Sequence, residues 1–227
     1  PPKSMASQIS MIGGEYMVRT ITGDEFDVIY TRSSAMVKGC LARFRRMFEK
    51  SKGDEWVAGL DVEYTPVMGK EKNLKEEEKK PAVIQVSVHN LCLVYHICDA
   101  DVECEDFKNF LGGSKVKFVS IDFTNDKEVL GRIGLVVGQP FNLQRNVLVS
   151  SRQPSMLTLA AAMVDPSYGK LTKPPPKFHR AWQWNVLDRD HINYAAMDAY
   201  LCFHIYKGWM KSESQVCGSS KEVSAKR

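Results

Sequence analysis

The sequence lacks the signatures of several protein classes. Its six cysteines include no Cys-x-x-Cys pair, which argues against the common zinc clusters. It contains no Asn-x-Ser/Thr glycosylation site, and no apolar run approaches the roughly 18 residues that cross a bilayer. The first residues do not show the charged-then-apolar layout of a secretory signal. These absences lead us to expect an intracellular protein with reduced cysteines.

A large excess of one charge is also missing. Lys and Arg total 31 against 27 acidic residues, which gives a net charge of +4. This balance permits a polyanionic partner such as nucleic acid but does not require one. What the chain has in quantity is apolar residues: its 227 residues are 44% hydrophobic, which suits one compact domain with a full core.

Composition divides the chain into three parts. We expect a flexible N-terminus over residues 1–14, in which residues 1–4 precede Met5 and are interpreted as an expression remnant. The folded domain is predicted over residues 15–210. The remaining residues, 211–227, are polar and are predicted to form a disordered tail.

Hydrophobic periodicity within the domain predicts both strands and helices. The predicted strands are residues 15–21, 25–31, 56–63, 82–88, 91–97 and 116–121. An amphipathic helix is predicted from Ser34, and a long apolar helix from about Asp190 to Met210. The charged run over residues 68–80 has no apolar period and is interpreted as a solvated loop. We therefore expect an α/β fold with a mixed sheet of about five to six strands, flanked by helices.

Acidic residues occur at three places where apolar residues dominate. Asp61 and Glu63 end the apolar strand WVAGL and, two residues apart, point to the same side of it. Asp126 lies at a junction between a strand and a helix. Tyr194 and Asp198 are one turn apart on the long helix and share a face. Isolated acids in such positions would be unfavourable, so the pattern predicts that they act together.

Metal binding would resolve the repulsion within such a cluster. Two like charges about 4 Å apart repel by about 4 kcal/mol at an effective dielectric constant of about 20. Carboxylate oxygens are preferred ligands of Mg²⁺ and Mn²⁺, whereas zinc prefers His and Cys. Two such ions, when bound together, stabilise the attacking and leaving oxygens of a phosphodiester. The four acids therefore predict a two-ion Mg²⁺ or Mn²⁺ site.

The order of these motifs resembles that of a known enzyme family. Asp-x-Glu after an apolar strand, a second Asp after a later strand, and Tyr-Ala-Ala-x-Asp-Ala in a late helix are typical of the DEDDy 3′–5′ exonucleases. The chain is most similar to the Werner-syndrome-type exonuclease domains and their plant relatives, from about residue 15 to residue 210. The resemblance implies an RNase H-like fold, hydrolysis of DNA or RNA from 3′ ends, a helicase or other protein partner, and a nuclear rather than cytoplasmic location.

The resemblance also implies a role for each matching residue. Asp61, Glu63, Asp126 and Asp198 would be the metal ligands, with Asp61 bridging the two ions. Tyr194 would hydrogen-bond to the attacking water and help to activate it, and Glu63 would share in positioning that water. Together these five residues are the predicted catalytic set.

Some assignments remain open at this stage. Asp122 lies near Asp126 and competes for the second acidic motif, although only Asp126 is followed four residues later by the Leu that the family places there. His191 stands where the family usually has Gln. Trp182 and Trp184 are candidates either for stacking on bases or for the core. The alternative function is a catalytically attenuated relative that binds nucleic acid or a protein.

Overall fold

A computed structural model describes residues 13–51, 55–64, 79–147, 153–184 and 186–224, with the side chains of the last segment described to residue 215. The strands are β1 (Gly13–Arg19), β2 (Glu25–Thr31), β3 (Trp56–Tyr64), β4 (Pro81–Val88), β5 (Leu91–Tyr95), β6 (Val116–Ser120) and β7 (Pro140–Asn142). The helices are α1 (Ser34–Lys50), α2 (Glu105–Gly112), α3 (Phe123–Gly131), α4 (Leu143–Asn146), α5 (Met156–Met163) and α6 (Arg189–Ser224). Short 3-10 turns cover Ile97–Asp99, Pro166–Lys170 and Phe178–Arg180.

The strands form one mixed sheet in the order β1-β2-β5-β4-β3-β6-β7. Two pairs of consecutive strands form hairpins: β1 pairs antiparallel with β2, and β4 pairs antiparallel with β5. His89, in the turn of the second hairpin, has a positive φ of 53°. Strand β6 is parallel to β3, so the segment that follows β6 emerges at the same edge of the sheet as the end of β3. This topology brings the first and second acidic motifs together.

The α/β class and the mixed sheet are confirmed; within the described part of the chain the sheet has seven strands, where five to six were expected. The additional strand, β7, has only three residues and begins with Pro140. A strand this short shows no hydrophobic periodicity from which it could be predicted. Its proline is tolerated because β7 lies at the edge of the sheet. The long helix begins one residue before Asp190 but continues past Met210 to Ser224.

The core has two parts, one on each face of the sheet, because alternate strand residues point to opposite faces. Helices α5 and α6 cover one face, and their buried residues pack with Val57, Val83 and Cys92. Helices α1, α2 and α3 cover the other face and pack with Ala58, Leu60 and Ile84. The central strands β4 and β5 are therefore buried throughout, whereas Asp61, Glu63 and Tyr64 at the end of β3 are only partly buried.

Two predictions concern residues outside the described ranges. Most of the charged run at 68–80, which is predicted to be a solvated loop, falls there, as do residues 1–12 of the predicted flexible N-terminus. Among the described residues, no helix combines the length and apolar character that crossing a bilayer requires.

Candidate active site

The first acidic motif lies at the end of β3 and faces helix α6. Gly59, Asp61 and Glu63 alternate along the strand and therefore share one face. At Gly59 the backbone of α6 comes so close that a Cβ would lie 2.0 Å from the carbonyl oxygen of Ala199. Asp61 and Glu63 therefore extend towards the part of α6 that carries Asp198.

Three carboxylates converge where these two elements meet. One oxygen from each of Asp61, Glu63 and Asp198 can be chosen so that all three lie within 4.8 Å of one another. Burial and the neighbouring Asp198 and Glu63 carboxylates raise the pKa of Asp61 well above its usual value. Burial, together with the charge of Glu63, raises the pKa of Asp198 to about 7. The cluster therefore opposes full ionisation of its own members.

Asp126 and the carboxylate triad (Asp61, Glu63 and Asp198) line one open cavity, but Asp126 is held by different contacts. It lies in the first turn of α3 and is only 6% exposed. The Tyr64 hydroxyl donates a hydrogen bond to its Oδ1, and the Ser120 hydroxyl donates to its Oδ2 at 3.3 Å. Burial raises the pKa of Asp126 to about 6, while these two hydrogen bonds act to lower it.

Asp122, the alternative candidate for the second acidic motif, has a structural role in this fold. Its Oδ1 accepts a hydrogen bond from the backbone N–H of Thr124 at 3.2 Å and so caps α3. It lines the cavity and is exposed, whereas Asp126 lines the same cavity and is buried. The geometry therefore favours Asp126 over Asp122 as the partner of the triad.

Tyr194 lies one turn before Asp198 on α6 and also lines the pocket. A hydrogen bond between its hydroxyl and the Asp198 carboxylate lowers the pKa of Asp198 and raises that of Tyr194. Burial is the largest cause of the raised pKa of Tyr194, and the nearby carboxylates add to it. The phenol is therefore neutral at physiological pH and can donate a hydrogen bond.

All five predicted catalytic residues line one open cavity of about 460 Å³. Its opposite wall includes residues 171–174 and His179, which belong to a Pro-rich segment (residues 171–180). His179 Nδ1 lies 3.8 Å from Glu63 Oε2, and this contact with Glu63 raises the pKa of His179. Lys173 adds a second basic group to the same wall. Sequence reasoning missed both residues, because no periodicity or motif links this segment to the acids.

His191 does not face the cavity, although it shares a helix with Tyr194. It is 6% exposed, and its ring stacks on Phe178 at 3.9 Å between centroids. Its Nε2 lies 3.0 Å from the Phe178 carbonyl oxygen, and its Nδ1 lies 2.7 Å from Asp188 Oδ1. His191 thus fastens the Pro-rich segment to α6, next to His179.

The donor set of the triad fits a hard divalent cation. Its three members offer only carboxylate oxygens, which Mg²⁺ and Mn²⁺ prefer. Burial and mutual repulsion raise the pKa values of Asp61 and Asp198, so positive charge beside them would favour their ionised forms. A bound cation would supply that charge, so the residues present fit a metal site.

Several solved structures share this fold. The EXO domain of Nibbler from Aedes aegypti is 14% identical with a TM-score of 0.59, covering 88% of this chain and 94% of its own. The catalytic core of RRP6 from Trypanosoma brucei is 12% identical with a TM-score of 0.60, covering 95% of this chain and 54% of its own. NrnC from Brucella melitensis, solved with bound Mg²⁺, is 18% identical with a TM-score of 0.53, covering 76% of this chain and 81% of its own.

Sequence comparison identifies the family directly. No curated protein sequence matches the chain. A family model described as 3′–5′ exonuclease, however, matches residues 42–212, which is most of the chain and includes all five predicted catalytic residues. The protein therefore belongs to this 3′–5′ exonuclease family.

Proposed function

We propose that this exonuclease hydrolyses phosphodiester bonds at single-stranded 3′ ends with two divalent cations. The observation that carries the proposal is the carboxylate triad, whose oxygens lie within 4.8 Å of one another in an open cavity of about 460 Å³. A cavity of this size suits a ligand about as large as one nucleotide. We therefore infer that the terminal nucleotide enters unpaired, or frayed from its partner.

The metal-binding roles are divided between the triad and Asp126. Asp61, Glu63 and Asp198 would hold one Mg²⁺ or Mn²⁺ ion, and Asp126 would hold a second together with Asp61. When bound, such ions lower the pKa of water and stabilise charge on the attacking and leaving oxygens. The bound Mg²⁺ in NrnC, a relative by fold, supports magnesium as one of the two candidates.

Glu63 and Tyr194 would position the attacking water between them. Because its pKa is raised, the Tyr194 hydroxyl keeps its proton, so it would orient the water through a hydrogen bond rather than deprotonate it. Burial raises the pKa of Glu63, which makes its carboxylate a better proton acceptor. The His179 side chain, 3.8 Å from Glu63 Oε2, restrains that carboxylate from the other side.

The Pro-rich segment would supply contacts to the substrate's phosphates. Lys173 is exposed and lines the cavity wall opposite the acids. Its positive charge acts on Asp198, since it lowers the pKa of that residue. With cations bound to the acids, a phosphate between those acids and Lys173 would be held by charge without base-specific contacts, which suits an enzyme that removes any nucleotide.

Within this 3′–5′ exonuclease family, we propose that the protein belongs to the Werner-type subgroup. The proposal rests on the Asp-Val-Glu-Tyr and Tyr-Ala-Ala-Met-Asp-Ala motifs. This assignment favours DNA as the substrate, and a preference for RNA would contradict it. A helicase or other protein partner and a nuclear location stay predictions that follow from the same resemblance.

The test uses oligonucleotides of DNA and RNA with a label at the 5′ end. With Mg²⁺ or Mn²⁺ we expect a ladder that shortens one nucleotide at a time, and no product in EDTA. The same oligonucleotide with a label at the 3′ end should release labelled mononucleotide first. Internal cuts, or shortening from the 5′ end, would contradict the proposal.

A further inference from the structure

Asp126 differs from the other acids in how the protein holds it. Tyr64 and Ser120 each donate a hydrogen bond to a different oxygen of its carboxylate. Asp126 as a whole is only 6% exposed, although it lines the cavity. Two side-chain hydroxyl groups therefore set the orientation of the Asp126 carboxylate. The position of the carboxylate triad, in contrast, is set by the packing of β3 against α6.

An irregularity in the sheet coincides with Tyr64. Strand β3 pairs with β4 in regular register as far as Glu63, which lies opposite Val83, but Tyr64 lies opposite Pro81 instead of the next residue. The ring of Tyr64 packs against the buried cluster on the α1 face of the sheet. From there its hydroxyl reaches Asp126 at the start of α3. Tyr64 thus links the first acidic motif to the second through one side chain.

We propose that Tyr64 is a positioning residue that holds Asp126 in place for a second divalent cation, while the triad binds the first cation without it. This inference rests on the two-cation site of the proposed function. Hydrogen-bond partners of ligating side chains fix the orientation of those ligands, and their loss weakens metal binding by about 10- to 100-fold. Ser120 acts on the other oxygen at 3.3 Å and should contribute less than Tyr64.

The experiment counts Mn²⁺ ions bound to the substrate-free protein by electron paramagnetic resonance of free Mn²⁺. We expect two classes of site in the unmodified protein. Tyr64→Phe keeps the ring in the core and deletes only the hydroxyl, so it should weaken the lower-affinity class by about tenfold and leave the other unchanged. Asp126→Asn should weaken that same class, and adding Tyr64→Phe to it should change nothing further.

Two further variants make the result specific. Tyr206→Phe removes a hydroxyl that donates to Glu55 Oε2 at 2.6 Å, away from the cavity, and should leave both classes intact. Ser120→Ala should weaken Mn²⁺ binding at the lower-affinity class by less than Tyr64→Phe does. If Tyr64→Phe has a strongly lowered melting temperature, Ser120→Ala replaces it as the test. A general loss of stability would not weaken one class selectively.

The outcomes separate this inference from the proposed function. Loss of the tighter class in Asp61→Asn, with both classes unchanged in Tyr64→Phe, overturns the role of Tyr64 and leaves the triad site standing. A single class of Mn²⁺ site in the unmodified protein also overturns it. Unchanged Mn²⁺ binding in Asp61→Asn contradicts the proposed function itself.

Discussion

Gly59 of β3 lies directly beneath the backbone of Ala199 on α6. A Cβ at Gly59 would lie 2.0 Å from the Ala199 carbonyl oxygen and 2.8 Å from the amide nitrogen of Phe203. Asp61 follows Gly59 by two residues on the same face of β3, and Asp198 precedes Ala199 on α6. The close approach of the two backbones therefore sets the distance between two members of the carboxylate triad.

Gly59→Ala should consequently impair both folding and catalysis. The added methyl group would force α6 away from β3, and overpacking of this kind destabilises by about 1–3 kcal/mol. The matched control is Gly39→Ala on α1, where a Cβ meets nothing within 4 Å. That change should raise stability by up to about 1 kcal/mol, because alanine favours the helix. Urea unfolding of both variants provides the measurement, and equal midpoints would contradict the packing argument.

Asp126 and Asp122 should respond differently to the same substitution. Asp126→Asn removes a buried negative charge from the cavity and should lower kcat on the order of 100-fold or more. Asp122→Asn keeps a side-chain oxygen that can still cap α3, so activity and melting temperature should stay close to those of the unmodified protein. Steady-state kinetics on both variants is the check, and the reverse ranking would show that the second motif has been assigned to the wrong acid.

Lys173 should contribute to substrate affinity through charge alone. Lys173→Ala should raise KM and reduce the dependence of log KM on log salt by roughly 0.7, the value for one phosphate contact on a single strand. Lys177→Ala, in the same segment, is the control, because Lys177 is exposed but does not line the cavity. If the two variants have identical slopes of log KM against log salt, Lys173 does not contact a substrate phosphate.

Stability of the metal-free protein should fall as pH rises, because of Asp198. In the unfolded chain an Asp loses its proton near a pKa of about 3.9, whereas burial raises the pKa of Asp198 in the folded protein to about 7. Between these values the folded state binds the extra proton, so the unfolding free energy decreases with increasing pH. Asp198→Asn should therefore melt a few degrees higher than the unmodified protein at pH 8 in EDTA, and the difference should shrink towards pH 5. Parallel melting curves across this range would contradict the assignment.

Sequence alone was sufficient to predict the fold class and to single out three acids that the structure brings together. The strands of the two hairpins and β3 either alternate apolar and polar residues or are apolar for five or more residues. The local hydrophobic pattern therefore agrees with the place of these strands in the sheet. Asp61, Glu63 and Asp198 were identifiable because a carboxylate inside an apolar element is unfavourable unless something balances its charge.

Other features depend on contacts that no local pattern records. His179 and Lys173 reach the cavity because the Pro-rich segment is folded back against α6, where His191 binds the Phe178 carbonyl. Trp182 proved to be core at 1% exposure, while Trp184 is 55% exposed, although the two are separated by one residue. The continuation of α6 to Ser224 has a simpler cause, since extending an existing helix avoids the cost of nucleation.

The central claim, that the carboxylate triad carries metal-dependent 3′–5′ hydrolysis, is tested most directly by Asp61→Asn. The substitution keeps the size of the side chain and relieves repulsion within the triad, so the protein should fold at least as stably as before. We predict that it shows no 3′-end ladder above background with saturating Mg²⁺ or Mn²⁺ in a single-turnover assay on 5′-labelled oligonucleotides. Cleavage by Asp61→Asn at the rate of the unmodified protein would contradict the account.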